Sequence, residues 1–420
     1  MKNRQALGLL ITANIVSGFA QGITMLSIPW YFVSMLDKGS LFGVIYMIIT
    51  IGTLFWSLYA GTLIDRYSRK NVFLFINVAG ALILGSIALS GYVFENVSMG
   101  LVITVFAATI FIYNIHYPAL YAFGQEISEK HNYGKINSFL EIQGQATTVV
   151  AGAVGAILLS GTTNQTVNLL GFPVHLPFEI PRWEMHEIFL MDAITYLIAI
   201  ILIAMIKYIP TEKLETHLGS VKERMKMGFN FLREHRLILL FGNMSHAVFV
   251  ILLVEVHLLL PWYVYNHLIR DAGVYASADI TYAVGALFAG LFIRKLFKSN
   301  STVKAVIILM ILTAIGCILV AFTKSVFIFF AFSVLIGITN AGIRILRITW
   351  LFNHIPNNMM GRAGSVFQLI NIFLRSIFIA IFSIPFFSIG SNVTWAYFIG
   401  SIFILASAIP LMMKYRELNK

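Results

Sequence analysis

Ten residues between two long apolar runs hold the densest chemistry in the chain: Gly61-Thr-Leu-Ile-Asp65-Arg66-Tyr-Ser-Arg69-Lys70. One acid and three bases packed this closely suit charge-assisted hydrogen bonds and contacts with helix ends. Bonds of that kind pin two helices together and can be released again. The simplest role for such a cluster is a solvated loop on the basic side of a membrane. Its order points further, to a gate: a glycine ends one helix, an acid follows four residues later, and bases open the next helix. Glu141 lies one turn into a later apolar run, placed to reach Arg66 and Arg69.

A second set of ionisable groups lies inside the apolar runs. Arg375 is about 18 Å along its run at 1.5 Å per residue, and Glu255 about 27 Å along another. Arg344 and Arg347 are three apart on one helical face, with Arg347 in snorkelling reach of the surface. His257 follows Glu255, His246 sits nearer the middle of the same run, and His116 precedes Pro118. A lone charge at the bilayer centre costs about 2.5–3.5 kcal/mol on insertion scales, so such groups face a partner or a wet cavity. Pairing of Glu255 with an arginine is the structural account. A substrate or proton site is the functional one, because arginine forks onto anions while Glu and His exchange protons. Three deep arginines against one deep glutamate favour an anionic cargo. Asp192 reads as an acid at a helix start and Asp279 as interfacial. Gln21 and Asn14, with Asn114, Gln143, Gln368 and Asn371, supply amides whose common role is to join helices.

Elements able to position these groups are written in the composition. Mean hydropathy is +0.85, and charged residues make up only 11%. A helix needs about 20 apolar residues to cross the hydrocarbon. Continuous rather than alternating runs exclude a barrel. The expected fold is an all-α membrane protein with twelve transmembrane helices: roughly 7-33, 41-61, 71-94, 99-123, 137-160, 187-209, 237-265, 273-293, 302-323, 326-350, 363-387 and 393-413. The first run is too long for a signal peptide and lacks a cleavage site, so it reads as a span. Cys317, the one cysteine, rules out an intrachain disulfide.

The net charge of +11 has a topological explanation. With both termini in the cytoplasm, 22 of the 29 lysines and arginines lie at inside ends and four in outside loops. That bias follows the positive-inside rule and argues against nucleic acid as partner. Two pseudo-symmetric six-helix bundles are expected, residues 1-209 and 237-420, joined by a cytoplasmic linker, 210-236, containing an amphipathic surface helix. Gly134-Lys-Ile-Asn-Ser138 answers Gly361-Arg-Ala-Gly-Ser365 across the halves, and Gly61 answers Gly290. The proline-bearing outside loop, Gly161 to His186, reads as a mobile connector, with a cap over the outer mouth as the alternative. Scattered histidines argue against a polytopic enzyme, and the short ends against a receptor with an appended domain. The chain has no phosphate-binding loop ending in Gly-Lys-Ser/Thr, so neither ATP nor another cofactor is expected.

The charged turn resembles the signature loop of the major facilitator superfamily, Gly-x-Leu-x-Asp-Arg-x-Gly-Arg-Arg/Lys, with Ser68 in place of the second glycine. Ile28-Pro29-Trp30, Met191-Asp192-Ala193, Pro356 and Gly361-Arg362 look like its drug-exporter branch of macrolide-efflux and enterobactin-exporter proteins. The resemblance implies two rocking six-helix halves and a central cavity lined mainly by spans 1, 4, 7 and 10. It places Gln21, His116, Glu255 and Arg344 on those spans. It also implies a monomer in a bacterial cytoplasmic membrane, surrounded by lipid, exporting an amphipathic small molecule, with protons as counter-ion. Gln21 is neutral where members often carry an acid, and the fifth span lacks the antiporter proline. A lipid or metabolite carrier of the same fold is the alternative.

Overall fold

A computed structural model describes residues 3–129, 132–209, 221–297 and 301–419, with the backbone alone at residues 58, 61, 62, 65, 134, 135, 221, 294, 357 and 358. The described chain is helical apart from one small hairpin. In order it forms α1 (Arg4–Ser34), α2 (Gly39–Arg66), α3 (Arg69–Val93), α4 (Met99–Glu126), α5 (Tyr133–Ser160), β1 (Thr166–Leu169), β2 (Phe172–His175) and α6 (Met185–Ala204). Then come α7 (Val221–Glu234), α8 (Arg236–Met244), α9 (Ala247–Val254), a π-helical turn (Glu255–Leu259), α10 (Leu260–Trp262) and a second π-helical turn (Tyr263–His267). The remainder is α11 (Ala272–Leu296), α12 (Thr302–Ala321), α13 (Val326–His354), α14 (Asn357–Phe382), α15 (Pro385–Ser388), a 3₁₀ turn (Gly390–Asn392), α16 (Val393–Met413) and α17 (Tyr415–Leu418). Twelve stretches are long and apolar enough to span a membrane, and the compound run from Arg236 to His267 is one of them.

Local chemistry sets the helix starts. Ser68, Asp271 and Ser301 each accept the backbone N–H three residues on, at 3.2–3.3 Å, and cap α3, α11 and α12. Each such cap stabilises its helix by about 1 kcal/mol. α6 opens on a reciprocal capping box between Glu184 and Glu187. Two spans end earlier than the apolar pattern predicts. α6 stops at Ala204, and α14 stops at Phe382, after which Pro385 opens a separate short helix. Proline has no N–H to continue the preceding ladder.

The backbone gathers into two compact units: Met1–Tyr31, Gly52–Val167 and Pro173–Leu218 in one, Phe32–Ile51, Asn168–Phe172 and Gly219–Lys420 in the other. In unit 1 the end carrying the charged turn rests on a core that includes Phe73, Ile76, Ile115, Leu120, Phe123 and Ile203. In unit 2 the expected amphipathic helix is α7. Its Gly228 lies so close to the Arg362 carbonyl of α14 that a Cβ there would collide. The remainder of the expected linker, 210–220, lies outside the described residues. The loop expected to be a mobile connector is instead ordered as the β1–β2 hairpin. Leu170 and Gly171 both take positive φ, 54° and 80°, the backbone of a two-residue primed turn. The tip belongs to unit 2: the Leu170 amide donates to Ser277 Oγ at 2.9 Å, and Asn168 donates to Asp271 Oδ2 at 2.9 Å.

Candidate functional site

At the charged turn, Ser68 takes φ −60° and ψ 137°, an ordinary extended conformation. A second glycine is therefore unnecessary, and the serine hydroxyl caps α3 instead. Lys70 Nζ donates to the carbonyls of Ala204 and Ile206, both at 2.8 Å, closing the C-terminal end of α6. A cation at that end also meets the negative pole of the helix dipole. Arg69 Nε lies 3.6 Å from Glu126 Oε2, with both side chains largely buried. Tyr208 donates to Glu126 Oε1 at 3.0 Å. Burial first, and then the Glu126 charge, push the Tyr208 hydroxyl up to about 12. Asn3 stitches the same end together through Ile127 and Ile209. Glu141, expected beside the turn, accepts a hydrogen bond from Tyr121 at 2.5 Å. Arg66 is exposed, and the Asp65 side chain lies outside the described atoms.

Inside unit 1, His116 belongs to a relay across three helices. Its Nε2 meets Asn14 Oδ1 at 2.7 Å, Asn14 Nδ2 donates to Gln143 Oε1 at 2.6 Å, and Gln143 Nε2 donates to Thr147 at 2.9 Å. With the amides in this orientation Asn14 Oδ1 accepts and His116 Nε2 is the donor to it. Gln21 donates to the Tyr196 hydroxyl at 3.4 Å. Asp192 departs from the helix-start reading. α6 begins seven residues before it, at Met185, and the carboxyl is wholly buried, accepting from Thr24 at 2.7 Å.

Unit 2 brings together groups from α2, the seventh span, α11, α14 and α16. Glu255 starts the first π-turn, 5% exposed, and accepts from Tyr397 at 3.2 Å. Asp279, a second acid and half-buried, acts on it electrostatically. Among the described residues no arginine pairs with Glu255, so the structural ion pair expected for it does not form. Two π-turns flank Pro261 in this span, and π-bulges recur at functional sites. His257 sits edge-on to Tyr46, ring centroids 5.5 Å apart, and the Arg375 guanidinium acts electrostatically on both. Arg375 makes no hydrogen bond or ion pair with the described residues, and its buried Nε is unpartnered. One turn earlier on the same face, Asn371 is 5% exposed and its Nδ2 is likewise unpartnered.

The other polar residues of unit 2 have structural partners. Arg347 is buried and donates to the Ser245 carbonyl at 3.0 Å, so it braces the end of α8 instead of snorkelling. His246 Nδ1 bonds the Gly242 carbonyl at 2.5 Å. Arg344 is half-buried and acts electrostatically on Tyr282 and Arg347. Tyr282 itself receives a bond from Asn340 at 2.9 Å.

Twelve spans in one chain, a basic turn bonded to neighbouring helix ends and charged groups held deep in the spans fit a solute carrier better than a catalyst. The sequence profile described as Major Facilitator Superfamily matches residues 10–379. The chain belongs to the major facilitator superfamily. No protein of curated function matches it in sequence. Among solved structures, a D-xylose-proton symporter superposes with a TM-score of 0.73 at 12% identity, over 98% of this chain and 97% of the other. The POT family transporter PepTSo gives 0.71 at 12% identity, over 100% and 99%. The nucleoside transporter NupG gives 0.70 at 14% identity, over 98% and 99%. At such identities the likeness is one of fold. This superfamily member is an integral multi-pass membrane protein, and its family and structural neighbours are transporters rather than enzymes.

Proposed function

We propose that this protein is a proton-coupled exporter of an amphipathic organic molecule bearing an anionic group, working as a monomer by alternating access in a bacterial cytoplasmic membrane. The observation that carries this reading is Arg375, a cation inside a span whose buried Nε has no hydrogen-bond partner among the described residues. Asn371 offers a second unused donor one turn away. A carboxylate, sulfonate or phosphate on the cargo satisfies both through charge-assisted bonds. Glu255, in the same unit and without a basic partner, is the acid that exchanges the proton. The drug-exporter assignment rests on the short motifs in the first, sixth and eleventh spans, and the orientation rests on the distribution of basic residues. Exporting an anion while a proton enters moves two charges in the same electrical sense, each worth about 2.3 kcal/mol per 100 mV. The membrane potential therefore assists the pH gradient.

The test uses purified protein in proteoliposomes, with fluorescent amphipathic anions and cations of matched size. Anions should be driven uphill by an imposed pH gradient. A hydrogen bond to a charged group contributes about 1.5–3 kcal/mol, so Arg375→Gln should lower anion transport by roughly 10- to 150-fold. Glu255→Gln should leave downhill anion movement and abolish uphill movement. Equal transport of anions by wild type and Arg375→Gln would remove the anionic reading.

A further inference from the structure

The first span carries a polar stripe that the charged turn and the unit 2 cluster do not use. Asn14, Ser17, Gln21 and Thr24 recur at helical spacing on one face of α1, and all four are at most 9% exposed. Along the helix the stripe is about 15 Å long. At one end Asn14 joins His116 and Gln143. At the other, Thr24 donates to Asp192 Oδ2, and Gln21, one turn earlier, donates to Tyr196. Tyr196 lies one turn after Asp192 on α6 and is within electrostatic range of it.

Asp192 is fully buried, and its Oδ1 has no hydrogen-bond partner among the described residues. The Thr195 hydroxyl donates to the Asp192 backbone carbonyl at 2.8 Å and also lies within reach of the carboxyl. α3 packs along α6 here and presents Ala81, Leu84 and Ala88, all buried and apolar, with Gly80 set directly against the Tyr196 ring. Thr24, Thr195 and Tyr196, the last bonded to Gln21, are the polar groups around the carboxyl, and no base among the described residues pairs with it. A hard metal cation takes about six oxygen ligands, which this apolar wall cannot supply. A proton needs no such shell, and it converts the orphaned oxygen into a donor or leaves it as a neutral carbonyl.

We infer that Asp192 is a proton-binding carboxyl of unit 1, reached along the α1 stripe. This rests on the proton-coupled reading above and adds to it a second acid, remote in sequence from Glu255. The stripe supplies the hydroxyls and amides through which a proton hops to a site sealed on its α3 side. Tyr196 and Gln21 act as positioning residues, holding the last step of that path in place.

Infrared difference spectroscopy on the purified protein after a pH jump tests the assignment without any cargo. The Glu255→Gln/Asp279→Asn double variant should retain a carboxylic-acid C=O band that appears on acidification. Adding Asp192→Asn should remove that band. Thr24→Val, which deletes the donor to Oδ2 and keeps the acid, should move the band to higher frequency, as a carbonyl losing a hydrogen bond does. Gln21→Leu should slow its appearance several-fold with its final intensity unchanged. A band that persists in folded, monodisperse Asp192→Asn, or that ignores Thr24→Val, would overturn the assignment. Because transport is not the readout, loss of proton-driven export in the proteoliposome assay leaves this result interpretable on its own, and the reverse holds.

Discussion

Deep in the spans of unit 1 the side-chain atoms left without partners include two oxygens, Oδ1 of Asp192 and of Asn77, whereas on α14 of unit 2 they are two nitrogens, Nδ2 of Asn371 and Nε of Arg375. Leaving a buried polar group unsatisfied costs about 1–3 kcal/mol. Native proteins tolerate few such groups, and each has a reason. An orphaned amide oxygen needs a donor, an orphaned carboxylate oxygen can take a proton, and an orphaned N–H donor suits an anion. At these four atoms the two units leave opposite kinds of group incomplete, which is the contrast on which the proposed exchange of a proton for an anion rests. Unit 1 differs in a second way. Its relay from His116 through Asn14 and Gln143 to Thr147 is saturated, so the polar groups there serve structure as well.

The contrast can be broken by substitution, and the largest effect should come from the charged end of unit 1. Glu126→Gln strands the Arg69 guanidinium, and loss of one partner of a buried pair typically costs about 3–5 kcal/mol. Chemical denaturation in detergent should show a loss near the lower figure. Next, Asn14→Leu leaves His116 Nε2 and Gln143 Oε1 unpaired and should destabilise the protein by roughly 2 kcal/mol. Asn371→Leu, the same exchange in unit 2, removes an orphan and should leave the melting temperature unchanged or higher, with anion affinity reduced about 5- to 10-fold. Equal destabilisation by these two variants would erase the distinction between the units. Lys70→Met uncaps α6 and should cost about 0.5–1 kcal/mol.

The smallest effect is a pH dependence. The Tyr208 hydroxyl is raised from 10.0 to about 12 in the folded state, so the fold favours its protonated form. That contribution is complete below pH 10 and is lost as pH rises through about 12. Tyr208→Phe should flatten the stability profile across that window.

Much of this was legible in the residue order, for identifiable reasons. Apolar runs of membrane length announce spans regardless of what they pack against. The knot from Asp65 to Lys70 stands out because charge is scarce around it. Partners were harder to read. Arg69 meets Glu126, more than fifty residues away, and spacing alone pointed to Glu141. The depth of Asp192 was hidden because α6 begins earlier than its apolar run, on a capping box, and because depth along a helix does not say which face is dry. Ser68 looked like a departure from the glycine of the signature and is a helix cap. Pro261 was the one sequence sign of the irregular seventh span, and it does not by itself specify two π-turns.

Those two π-turns have a mechanical consequence. Each is a place where the helix carries a surplus residue, and surplus can be expelled or passed along the rod without melting it. Since one residue of α-helix is about 100° of rotation, relaxing the first turn would swing the Glu255 side chain through more than a quarter-circle. Passing that surplus one position along the span would therefore re-aim Glu255 while leaving the helix beyond it in register.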